Sequence, residues 1–141
     1  MSEQNVELHR RGIEAFNRRD IEGVVALCDP SVEWHSTFGG GAIYRGHDGL
    51  RAWHKDLQDA WGTDIRIEPE VFFDLGEHTL DVQLLHGRGR QSGADVALSA
   101  ASVIRWRDGL IVYFKGYADQ EDAHALSDLG ISEDELEPIA P

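Results

Sequence analysis

"GADVALSAASVIRWRDGLIVYFKGYA", residues 93–118, decides the architecture of the second half of the chain. Side chains alternate from Val96 to Trp106, Asp108-Gly109 breaks the run, and Leu110 to Ala118 resumes it. Period-two alternation marks a strand, and Asp-Gly between two such runs marks a hairpin turn. On the first strand Val96, Leu98, Ala100, Ser102, Ile104 and Trp106 share one face. Ala97, Ser99, Ala101 and Val103 share the other. The second face is small and mostly uncharged, so both need cover. Helices suit the face with the large residues. The strip of small residues predicts a second copy of the chain behind the sheet.

Upstream, "DIRIEPEVFFDL" (64–75) and "HTLDVQLLHGRGR" (78–90) read as two more strands, bounded by Gly-Glu and Gln-Ser-Gly turns. The first half has a different rhythm. Val6, Arg10, Ile13 and Phe16 or Asn17 recur at helical spacing between residues 3 and 18. Asp20 is placed to cap a short helix, Ile21 to Cys28, which Asp29-Pro30 stops. Val32, Trp34 and Ser36 then alternate with Glu33, His35 and Thr37, a strand that runs into Gly39–Gly41. A third helix is predicted over Asp48 to Trp61, with Leu50, Trp53, Leu57 and Trp61 on one stripe. Asp119 opens a last short helix closed by Gly130. Ser132 to Glu135 fits a capping box. Helices followed by strands indicate an α+β domain over residues 1–131, with residues 132–141 as an acidic tail.

Bulk properties narrow the partners. A chain of 141 residues, 41% hydrophobic, is large enough for one self-sufficient core. A net charge of −13 opposes nucleic acid and anionic membranes. The longest apolar runs, "VVALC" and "LIVYF", are far short of a membrane span. The polar start of the chain is unlike a secretory leader, and a single cysteine, Cys28, cannot pair internally. The expectation is a cytoplasmic protein. Seven histidines are present, yet none has H-x-H, H-E-x-x-H or C-x-x-C spacing, so no metal and no cofactor is expected. "HGRGRQSG" lacks the Lys-Ser/Thr ending and following helix of a phosphate loop and reads as a turn.

"EAFNRRDIEGVVALCDPSVEWH", "YRGHDGLRAW", "GRGRQSG", "RWRDGLIV" and "DQEDAHAL", in that order, resemble the SnoaL-like family of the nuclear-transport-factor-2-like superfamily, which also contains the ketosteroid isomerases. The resemblance runs from about Val6 to Gly130. It implies a cone-shaped curved antiparallel sheet wrapped by about three N-terminal helices, a ligand cavity inside, and a homodimer. Ketosteroid isomerases use an aspartate base and an oxyanion hole of a tyrosine and a protonated aspartate. Matching the motifs puts Gly12 at the tyrosine, Trp34 at the base and Ser102 at the second aspartate. An indole has no lone pair to accept a proton, so steroid isomerisation by that route is not expected. Limonene-epoxide hydrolases need an arginine between two carboxylates, and no inward Asp-x-Arg or Arg-x-Asp pair is found.

Among the remaining polar residues, His86 continues the face of Leu80, Val82 and Leu84. Inside the cone it would serve as an acid/base near neutral pH. Otherwise it is a core histidine bonded to Ser102 or a backbone carbonyl. Ser102 is the companion hydrogen-bond donor, and Asp119 is either a helix cap or a second polar group at the cavity mouth. Phe16, Trp34, Trp53, Leu57, Leu84, Ile104 and Phe114 are the expected apolar wall for a small hydrophobic ligand. The expected chemistry is cofactor-free proton transfer on a cyclic or polyketide-like molecule: isomerisation, cyclisation or dehydration. A non-catalytic binding or dimerisation module of the same fold is the alternative.

Overall fold

The computed structural model describes residues 2–36, 42–62, 64–88, 95–118, 128–131 and 137–141. Asp119, residues 120–127 of the helix expected to follow it, and the Ser132–Glu135 box lie outside the described residues, while Asp128 and Leu129 are helical and Gly130 follows them with a φ of 70°. The elements run α1 (Ser2–Asn17), α2 (Ile21–Val25), β1 (Cys28–His35), β2 (Ile43–Arg45), α3 (Gly46–Trp61), β3 (Arg66–Asp74), β4 (His78–Arg88), β5 (Asp95–Arg107) and β6 (Leu110–Ala118). The strands form one curved, unclosed sheet in the order β2-β1-β6-β5-β4-β3. Every neighbouring pair is antiparallel except β1–β6, which is parallel, so the α+β cone is built on a mixed sheet. No described helix is long and apolar enough to cross a membrane.

Local chemistry explains the joints. The β5–β6 hairpin turns on Asp108 and Gly109, whose φ values of 53° and 77° match the positive φ that a tight two-residue hairpin requires. Asp20 caps α2 by accepting a hydrogen bond from the Gly23 amide at 3.0 Å. The helix ends at Val25, three residues before Cys28. Asp29 and Pro30 therefore fall inside β1, where pairing with β6 is interrupted between Cys28 and Glu33. A proline without an N–H is tolerated at such a gap. Pro69 likewise sits at the register shift of the edge strand β3. The Asn17 side chain holds α1 to β3, donating to the Ile67 carbonyl and accepting from the Ile67 amide, both at 2.8 Å.

Three clusters divide the core. Inside the cone, Phe16, Leu50, Trp53, Trp34, Ile104 and Trp106 pack with α2 and the start of β1. On the outer face, Leu80, Ala101, Val103 and Tyr117 are covered by Phe73, Leu75, Leu129 and Ile131 of the same chain. At the β3 edge, Val6, Ile13 and Phe72 meet Ile139. Ile139 and Phe72 exchange backbone hydrogen bonds of 2.8 and 2.9 Å, and Arg10 donates to the Ala140 carbonyl at 2.7 Å. The last residues of the tail are thus tied to the body.

Candidate functional site

The cone encloses a cavity between α1, α3 and the inner sheet face. Its volume is about 80 Å³. α1 lines one side with Leu8, His9, Gly12, Ile13 and Phe16, the residues that a 3.6-residue period brings to one face. α3 adds Trp53 and Leu57, β1 adds Trp34, and β6 adds Phe114. From the sheet centre come Gln83, Leu85, Ser102 and Ile104. The expected wall residues Phe16, Trp34, Trp53, Leu57, Ile104 and Phe114 all line it, as does Ser102. Trp34 stacks on Phe114 with ring centroids 3.9 Å apart and planes 11° apart. Its buried indole N–H has no hydrogen-bond partner among the described residues.

Two expected residues face the other way. β4 turns Thr79, Asp81, Gln83 and Leu85 into the cone, because Asp81 pairs with Ser102 and Thr79 with Ile104, and Ser102 and Ile104 point inward. Leu84 and His86 therefore lie on the outer face, opposite Ser99 and Ala97. His86 binds Glu68 Oε1 at 2.7 Å through Nε2 and is partly exposed. It is not an inward acid/base. The apolar face of β4 was the natural choice for the interior, but Leu80 buries itself on the outside under the chain's own cover.

The inward polar face of β4 closes a network that sequence reasoning missed. His9, Thr79, Asp81, Gln83 and Ser102 are all buried, Thr79 and Asp81 completely. Trp106 Nε1 donates to Thr79 Oγ1 at 2.8 Å, and Thr79 Oγ1 lies 2.8 Å from His9 Nδ1. With the indole as donor, the Thr79 hydroxyl can either donate its proton to Nδ1 or accept a second hydrogen bond from it, so a neutral ring can carry its proton on either nitrogen. Nε2 faces Asp81 Oδ1 at 3.5 Å, too long for a good hydrogen bond, and Oδ1 has no hydrogen-bond partner among the described residues. Gln83 donates to Asp81 Oδ2 at 2.8 Å and to Ser102 Oγ at 3.1 Å. Since Ser102 accepts from Gln83, its own proton is available to another acceptor. Phe72 packs edge-on against His9, with centroids 5.2 Å apart. The signal for His9 was a lone imidazole on the apolar stripe of α1, where Arg10 was read instead. Arg10 points outward to Glu7 and Ala140.

Chemically, the cavity is an apolar slot whose few polar side chains are His9, Ser36, Gln83 and Ser102. No three or more His, Cys, Asp or Glu among the described residues are grouped to hold a metal ion. Burial pushes the Cys28 thiol up to about 12, and its sulfur lies 3.4 Å from the Val24 carbonyl, outside the cavity.

Comparison with known proteins agrees with this geometry. Residues 9–114 match the SnoaL-like domain. A nuclear-transport-factor-2-like protein of unknown function from Burkholderia pseudomallei superposes with a TM-score of 0.75 at 27% identity, covering 88% of this chain and 95% of that one. TerC, co-crystallised with polyporic acid, gives 0.75 at 24% identity over 89% and 98% of the two chains. A putative polyketide cyclase from Xanthomonas campestris pv. campestris gives 0.73 at 18% over 88% and 96%. No curated protein matches. With the match spanning most of the cone, the chain belongs to the SnoaL-like domain family of the nuclear-transport-factor-2-like superfamily.

Proposed function

We propose that the protein acts without a cofactor on a small hydrophobic cyclic or polyketide-like molecule, by proton transfer of the isomerase, cyclase or dehydratase type. One observation carries the reading: His9 stands on the cavity wall with the buried carboxylate of Asp81 behind it and Ser102 on the same polar side. In this scheme His9 Nε2, in the tautomer that keeps the ring proton on Nδ1 toward Thr79, takes a proton from the carbon beside a ligand carbonyl and returns it to a carbon of the product. The Asp81 carboxylate stabilises the imidazolium formed in between, and Ser102 donates a hydrogen bond to the enolate oxygen. Asp81, Thr79 and Gln83 position these groups. TerC, a neighbour of the same fold, was co-crystallised with polyporic acid, which supports a small-molecule ligand.

The test is deuterium incorporation at the α-carbons of 2-tetralone in heavy water, followed by NMR. His9→Ala and Ser102→Ala are expected to lower the catalysed exchange by about 10²–10⁴-fold and about tenfold respectively. His86→Ala is expected to leave it unchanged. Exchange that survives His9→Ala would sink the scheme.

A second reading is favoured by the same network. Both ring nitrogens of His9 already face partners within the chain, as in a satisfied core, which suits a binding module. Tryptophan quenching by 2-tetralone without any catalysed exchange would select it.

We also propose a homodimer through the outer sheet face. Ala101 and Val103 are covered within the chain, which leaves Leu84, His86, Ala97 and Ser99 for a partner. A reducing, cytoplasmic setting accords with the single buried thiol.

A further inference from the structure

Gly12 occupies the interior of α1 without a positive φ, where glycine is the least favourable residue after proline. The glycines of α2 and α3 have local reasons. A Cβ at Gly23 would lie 2.5 Å from the Asp20 carboxylate, and one at Gly49 would lie 3.1 Å from the Tyr44 backbone. A Cβ at Gly12 would meet only Leu27 Cδ1, at an ordinary contact distance of 3.5 Å. Neither backbone conformation nor packing within the chain requires glycine there. Yet Gly12 is on the cavity wall, flanked along the stripe by His9 and Phe16.

We infer that the missing side chain at Gly12 is a specificity element of the cavity, seating the edge of a flat ring directly on the α1 backbone. The inference rests on the small-molecule reading of the cavity. Three residues of helix rise place Gly12 about 4.5 Å along the axis from His9. That is close to the reach across one ring, so a ring edge at Gly12 brings an oxygen substituent to the imidazole. The ligand class that fits is a fused-ring ketone or phenol with its oxygen toward His9 and its hydrocarbon edge on Gly12. A single ring has no need of that edge.

Calorimetric titration of 2-naphthol and phenol, with a thermal melt on each sample, tests this. Gly12→Ala is expected to raise Tm by about 2–4 °C through helix propensity alone. It is expected to weaken 2-naphthol by about tenfold through overpacking, with phenol changed less than about twofold. Gly12→Leu, another good helix former, is expected to abolish 2-naphthol binding and keep the fold. A lowered Tm in Gly12→Ala would show that the helix needs glycine and overturn the inference. So would a Gly12→Ala protein that binds 2-naphthol as the wild type does. A wild type that binds neither compound overturns the cavity reading itself, and this inference with it.

Discussion

Thr79 is the residue on which the buried network turns, because its one hydroxyl serves both the Trp106 indole and the His9 ring. Thr79→Val keeps the shape but leaves two buried polar groups without that partner. The expected loss is about 2–4 kcal/mol in urea unfolding, with the slope unchanged, and Thr79→Ser is expected to recover most of it. Cys28 makes the opposite kind of prediction. Its folded-state pKa, pushed up by burial to about 12 from an ordinary value near 9, means that the unfolded chain gives up its proton first. This contribution to stability is complete below about pH 9 and is lost as pH rises toward 12. The native thiol is expected to resist iodoacetamide at pH 8 and to react at once in urea. Stoichiometric labelling of the folded protein at pH 8 would refute that. His9 itself was barely legible in the sequence. A single histidine among apolar helix positions looks like any core histidine until Asp81, 72 positions later, is brought behind it.

The elements show where one-dimensional reading succeeds and where it stops. The period of α1, the Asp20 cap, the Asp108-Gly109 hairpin and the inward face of β5 were all legible, because each rests on residues close together in the chain. The face of β4 was not. A strand alternating Leu80, Val82, Leu84 against Thr79, Asp81, Gln83 offers two faces, and the apolar one is the usual choice for an interior. The pairing of Asp81 with Ser102 decides otherwise, and a shift of one residue reverses every side chain. The same parity moves His86 from the cavity to the outer face. The tail was read by composition alone, and its bridge to Phe72 has no local signal. Ile139→Ala removes half-buried apolar surface from the Val6–Ile13–Phe72 cluster. About 1 kcal/mol of stability is expected to go with it, measured as an earlier urea midpoint. Since Phe72 packs on His9, the histidine C2 proton in the NMR spectrum is expected to shift as well. An unchanged midpoint would mean that the bridge contributes nothing.

At the scale of the whole molecule, charge and shape act on assembly together. Two copies at −13 each repel, so dimerisation through the outer face is expected to tighten as salt screens the repulsion. Leu84→Arg or Ala97→Arg is expected to shift the proposed dimer to monomer by light scattering, without loss of the fold. Ala101→Arg would instead strike the covered cluster and unfold it. A wild type that is monomeric at micromolar concentration in high salt would end the proposal. The contact between Arg10 and Ala140 has a consequence in time. It joins positions 130 residues apart, and Ile139 reaches Phe72 across about half that separation. Domains fold as synthesis proceeds from the N-terminus, and contacts of such separation form late. The α1 end of the cone, with His9 beneath Phe72, therefore stays unsealed on the ribosome until residue 140 has been made and has emerged.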